Sequence, residues 1–221
     1  MRNTFLLGYS EAMIAMVLET RKAQGLSGKV FIILNQDIEE KYPYLPSGVQ
    51  VEKIAAPDWK IPSNEFDLHF GVGKTATKKL IYAAFEKSHG LEKSMFTNLV
   101  HPSLVIASSV KLSTGIYGEP ASVLSPFAEV GFGVTINRGV TIGHHTVIGD
   151  FVSINPGTHI AGHCHIGNDV LIGMGTSVFD HVSIGEGSVI GGGSVVTKDI
   201  PAGVLAYGQP CKVIRSLHDP V

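Results

Sequence analysis

Two adjacent histidines, His144 and His145, stand inside the stretch TIGHHTVIGD at 141–150. Imidazole has an unperturbed pKa of about 6.5, so either ring can take up or release a proton near neutral pH. Neither of the two cysteines, Cys164 and Cys211, adjoins the pair, so the chemistry to consider is proton transfer. Further histidines recur at constant spacing: His145, His163 and His181 are eighteen residues apart.

A six-residue pattern sets that spacing. Stepping by six from Val100 to Val196 meets Val, Ile or Leu at sixteen of seventeen positions, and only Gly118 departs. Four residues after an anchor the side chain is small or β-branched, as at Val140, Thr146, Val152, Thr158 and Cys164. A hexad is a short strand plus a turn, and three hexads close one coil of a parallel β-solenoid with the anchors inside. Coils stack about 4.8 Å apart. Residues eighteen apart then share an edge, so His145, His163 and His181 form a column. It reads as a solvated ladder, as cofactor or substrate contacts, or as a metal site shared between subunits.

The first 95 residues follow other rules. TFLLG and KVFIIL are short apolar strands, and between them Ser10 can cap a helix carrying Met13, Ile14, Val17 and Leu18 that Gly25 ends. Spacing this short implies a parallel pair with a right-handed crossover. VQVEKI and DLHFGV add strands, and Thr75 opens a second helix with Leu80, Ile81, Ala84 and Phe85 on one face, closed by Gly90. The expected organisation is a small Rossmann-like α/β domain over 1–95, then an all-β parallel β-solenoid over 96–221. Its hexads span about 100–201, and its tail is 202–221.

A net charge of −2 without Lys/Arg runs gives no footprint for nucleic acid or an anionic membrane. No apolar stretch approaches the ~18 residues of a membrane span, and the N-terminus lacks a cleavage signal. A cytoplasmic protein without a disulfide framework is expected.

The repeat resembles the left-handed parallel β-helix of the hexapeptide-repeat acyltransferases, which implies that hand for 96–221 and a substrate-binding role for 1–95. With the α/β domain before it and PAGVLAYGQPCKVI after it, the layout is similar to the bacterial sialic acid O-acetyltransferases and nucleotide-4-amino-sugar N-acetyltransferases. That resemblance implies a homotrimer with acetyl-CoA as acyl donor in the groove between neighbouring prisms, and no metal. His144 falls on the catalytic base. His145 stands where the family places a carboxylate, so another residue orients His144, or the base is weaker, or His145 shares the catalytic role. Ser153, Met174 and Gly192 match acetyl-CoA contacts, and Gly162 belongs to a turn whose N–H faces the thioester oxygen. Gly8, Ser10, Asn35 and Gly73 match the substrate side, although Glu11 and Ala12 replace the family's Gly-His pair. The second strand ends Asn35-Gln36-Asp37 where an acidic pair is common.

The resemblance implies N-acetylation of a nucleotide-linked amino sugar in bacterial surface-glycan biosynthesis, by direct attack. The alternative is O-acetylation of a sialic-type sugar. From other classes come a metal hydratase resembling the γ-carbonic anhydrases and an inactive binding scaffold. The hydratase needs a second histidine five residues after the His144 position, and Gly149 stands there. GVGKT at 71–75 is not a P-loop, because the required earlier glycine is Leu68.

Overall fold

A computed structural model describes residues 2–35 and 49–218. The chain divides into two compact units, Met1–Pro102 and Ser103–Val221.

The N-terminal unit is a parallel sheet with two helices. Strands β1 (Asn3–Leu7), β2 (Val30–Leu34), β3 (Val51–Ala55) and β4 (Phe66–Phe70) lie in the order β3-β2-β1-β4, all parallel. Helix α1 (Glu11–Ala23) follows β1, and α2 (Thr75–His89) follows β4. Ser10 occupies the N-cap of α1 in extended backbone, but its side chain makes no capping hydrogen bond. Gly25 and Gly90 follow the helices in the left-handed conformation that glycine tolerates best. The face that α2 buries departs from the sequence expectation. Leu80 and Ala84 are exposed, and the covered stripe is Lys78, Ile81 and Phe85, spaced three and then four residues apart. Lys78 fits because its alkyl stem packs inward while its Nζ lies 5.6 Å from the centre of the Phe70 ring. Its burial pushes the ammonium pKa down to about 7.

The second unit is a three-faced left-handed parallel β-helix. One face stacks Lys111, Glu129, Val147, His165 and Ser183; the next stacks Tyr117, Thr135, Ser153, Leu171 and Val189; the third stacks Val105, Val123, Thr141, His159, Ser177 and Val195. Each two-residue strand ends on an anchor, and the anchors from Leu124 to Val196 are buried. The first ones are not: Ile106, in the end coil, is 36% exposed and Leu112 is half-buried. The strand Val204–Tyr207 continues the second face and pairs antiparallel with Lys212–Ser216.

Inside the corners, hydroxyls tie successive coils together. Thr146 donates to the Ala161 carbonyl at 2.8 Å, Thr158 to Gly173 at 3.0 Å and Thr176 to Gly191 at 3.3 Å. Cys164 takes the same place, its thiol 3.0 Å from the Phe179 carbonyl. Each corner also needs one residue with positive φ. One edge supplies Gly115, Gly133, Phe151, Asp169 and Gly187; another supplies Ala121, Gly139, Gly157, Gly175 and Gly193; the third supplies Phe127, His145, His163 and His181. Among the described residues, no helix is long and apolar enough to cross a membrane.

Candidate active site

His144 and His145 sit on the corner between strands Thr141–Ile142 and Val147–Ile148. Ile142 and Ile148 point into the prism, so the residues between them must turn outward, and both histidines are exposed. Thr146 turns back inward. Besides donating to Ala161, its Oγ1 accepts the Cys164 N–H at 3.1 Å. That clamp fixes the 161–164 corner one coil along.

Gly162 is thereby held against the His144 ring. A Cβ at Gly162 would stand 2.8 Å from His144 Cε1 and 2.9 Å from Nε2, so any side chain there would displace the imidazole. The N–H groups on either side are committed, Ala161 to Val178 at 2.9 Å and His163 to the His144 carbonyl at 2.9 Å.

The Nδ1 atoms of His144 and His145 are 3.1 Å apart. Two ring nitrogens make a hydrogen bond only when one carries the proton and the other offers its lone pair. With the proton on His144 Nδ1, the lone pair of His144 is on Nε2. His145 can therefore set the tautomer of its neighbour, a task that a carboxylate performs elsewhere, but it brings no negative charge.

The column extends beyond the pair. The His145 ring stacks on His163 at 4.8 Å and 13°, and His163 stacks on His181 at 4.8 Å and 2°. Phe127 closes the other end, 4.8 Å from His145. The His144 ring stands nearly perpendicular to both His145 and His163, at 89° and 87°. Desolvation, and then the neighbouring His145, His181 and His144 rings, push the His163 imidazole below its ordinary pKa, while Asp180 opposes them. The Asp180 carboxylate lies 3.8 Å from His181 Nε2. Burial raises the Cys164 thiol, consistent with a core residue.

The remaining positions singled out in the prism lie elsewhere. Met174 and Gly192 share the glycine-rich edge, where a Gly192 Cβ would meet the Met174 carbonyl at 3.1 Å, and Met174 is 66% exposed. Ser153 is buried on the second face. Within one chain the fold groups His144, His145 and Gly162 on one edge and Met174 with Gly192 on another.

In the N-terminal unit, Gly8, Ser10, Asn35 and Gly73 all follow the carboxyl ends of strands β1, β2 and β4. Open parallel sheets bind ligands at that edge. Gly8 has φ 78°, and a Cβ there would strike Ile81 Cδ1 at 2.4 Å. Gly73 is freer, with only Met13 Sδ nearby at 3.9 Å. Gln36 and Asp37 lie outside the described residues.

Other features were not visible in the sequence. His69 is buried, with Nε2 3.3 Å from Thr97 Oγ1, and desolvation followed by the Arg21 charge pushes its pKa down to about 3. The Arg21 guanidinium is buried too and hydrogen-bonds Thr4 Oγ1. The clamping role of Thr146 and the contact of His163 with His144 were also missed. The eighteen-residue step, applied to whole corners and not only to histidines, places both.

The family model described as bacterial transferase hexapeptide (six repeats) matches residues 145–180 and 163–198. Comparison with curated proteins gave no match. Solved structures align over nearly the whole chain. The acetyltransferase domain of PglB from Neisseria gonorrhoeae FA1090, in complex with acetyl coenzyme A, is 23% identical, with TM-score 0.81 over 96% of this chain and 99% of that one. PerB from Caulobacter crescentus, in complex with CoA and GDP-perosamine, is 25% identical, with TM-score 0.77 over 97% and 98%. WeeI from Acinetobacter baumannii AYE is 22% identical, with TM-score 0.77 over 97% and 100%. This is the fold of the hexapeptide-repeat acetyltransferases. The hexapeptide repeat explains the constant stacking step, and the matched windows begin at His145 and His163, two rungs of the column.

Proposed function

We propose that the protein is an acetyl-CoA-dependent N-acetyltransferase of an amino sugar, most simply a nucleotide-linked one, with His144 as the base. One observation carries the reading: an exposed imidazole bonded through Nδ1 to a second imidazole and seated against a glycine. The sugar amine attacks the thioester carbonyl carbon, and a C–N bond forms. His144 Nε2 takes the proton from that nitrogen and returns it to sulfur as the C–S bond breaks. The Gly162 N–H, which the flanking ladder bonds leave aside, is the donor offered to the developing oxyanion.

The His145 partner bears on the choice of acceptor. A neutral imidazole orients His144 but stabilises imidazolium less than a carboxylate would. An amine, already carrying an available lone pair in part of its population, asks less of such a base than a hydroxyl does. That favours N-acetylation over O-acetylation of a sialic-type sugar.

Met174 and Gly192 lie on a different prism edge from His144, so a donor that touches all three must lie between two copies of the chain. The homotrimer meets this requirement, with Met174, Gly192 and Ser153 as donor contacts. Gly8, Ser10, Asn35 and Gly73 serve the sugar nucleotide, in the domain of residues 1–95, and the enzyme works in the cytoplasm. Release of CoA, measured against a panel of nucleotide-linked amino sugars and sialic acids, tests the substrate. His144→Ala is expected to lower kcat by about 10²–10⁴-fold; near-normal turnover in that variant overturns the assignment.

A further inference from the structure

We propose that His144, His145 and His163 form a binding site for a first-row divalent transition metal, with Zn²⁺ as the simplest case. Each offers a ring nitrogen, these nitrogens lie within 4.8 Å of one another, and all three side chains are exposed. Neutral imidazole suits Zn, Cu and Ni. Around tetrahedral zinc, with Zn–N of about 2.0–2.1 Å, two ligand nitrogens stand roughly 3.3 Å apart. The Nδ1 atoms of His144 and His145 already stand 3.1 Å apart. Closing the third donor to that spacing takes at most about 1.5 Å, which rotation of an exposed side chain covers, and a fourth position is left for water.

The backbone supplies a second, independent reason. His145 and His163 have φ of 58° and 57°, a conformation that costs an L residue roughly 1–2 kcal/mol. The same place on the edge of Met174 and Gly192 is held by glycine in four coils, Gly139, Gly157, Gly175 and Gly193. The histidine edge carries side chains where the backbone favours none, and it carries them one coil apart in the same orientation. The His144 ring, nearly perpendicular to both, approaches from another direction, as a converging set of donors requires. These donors are not those of the hydratase-type site, which Gly149 precludes.

A metal here would occupy the lone pair of His144, so bound zinc would stop acetyl transfer. This consequence rests on the base assignment above; the site itself does not. The test is calorimetric titration of chelator-treated full-length protein with ZnCl₂, with acetyl transfer followed in parallel. One zinc per chain is expected, weakened at least tenfold in His145→Ala and in His163→Ala. Chelator should restore transfer, and the zinc concentration that halves each protein's own turnover should be at least tenfold higher for His163→Ala than for the wild type. Absence of stoichiometric binding, or binding unchanged in both variants, overturns the site. Stoichiometric zinc with undiminished transfer overturns the blockade and the base assignment together, while the calorimetric site stands.

Discussion

Two edges of the same prism share one backbone conformation and differ in what they place on it. Along Gly139, Gly157, Gly175 and Gly193, the left-handed corner is left to the residue that adopts it most cheaply. Along Phe127, His145, His163 and His181, the same φ, between 57° and 63°, is imposed on large rings. Both edges close the coil equally well, so closure does not explain the rings. Stacking returns part of the cost, about 0.5–1.5 kcal/mol for an aromatic pair. The remaining cost is not peculiar to histidine, since Phe151 and Asp169 carry the same φ on the prism's other edge and Ala121 carries it on the glycine edge. What sets His145, His163 and His181 apart is their stacking one coil above another, whereas His159 and His165 sit on flat faces in ordinary strands.

The largest expected effect separates the edges by activity. Gly162→Val should displace the His144 ring and lower turnover about 10²-fold, because a misplacement of about 1 Å has that order of cost. Gly192→Ala, on the other edge, meets its nearest atom at 3.1 Å and should leave the His144 geometry alone. Steady-state kinetics should put the loss in Gly162→Val on kcat and any loss in Gly192→Ala on the KM for acetyl-CoA, and equal loss of kcat in both would break the comparison.

The next prediction contrasts the exposed column with a sealed histidine. His69 has its folded pKa lowered to about 3 from 6.5, so between those values the unfolded chain binds the extra proton. Stability is then fully present above pH 6.5 and falls as pH drops toward 3, by up to about 1.4 kcal/mol per pH unit. Urea unfolding of wild type and His69→Gln at pH 7 and pH 5 should show a flatter pH dependence in the variant; parallel curves would remove His69 as the cause.

The smallest effect addresses the shared conformation directly. A Cβ at Gly175 meets nothing within 4 Å, so Gly175→Ala should cost only the left-handed penalty, about 1 kcal/mol. On the histidine edge the same penalty should appear reversed, with His163→Gly more stable than His163→Ala by about 1 kcal/mol. Denaturant melts of the three variants give both differences, and unequal magnitudes would mean that the edges do not share a backbone energy.

The prism was legible because a strict period of six leaves few alternatives for where side chains point. It failed at Ile106, where the end coil lacks the stacking that buries later anchors. The second helix is bounded as expected and buries Ile81 and Phe85, but the rest of its covered stripe was not legible because apolar character is an imperfect proxy for burial. Lys78 can be buried through its stem, and Leu80 can be left in water. Adjacency placed His144 and His145 on one corner, but the contact of their Nδ1 atoms depends on ring orientation, which sequence does not carry. The seat formed by Gly162 was not legible either, because a close approach between coils leaves no mark in sequence beyond a missing side chain.

The constant step of eighteen residues makes position along the chain behave like an angle. Inserting a whole coil before His144 would lengthen the prism and return every later residue to its original edge. Inserting a single hexad would preserve each strand and each buried anchor, yet rotate His144, His163 and Gly192 by a third of a turn. Length variation in such a chain is therefore quantised: the fold accepts changes in sixes, and the alignment of its edges only in eighteens.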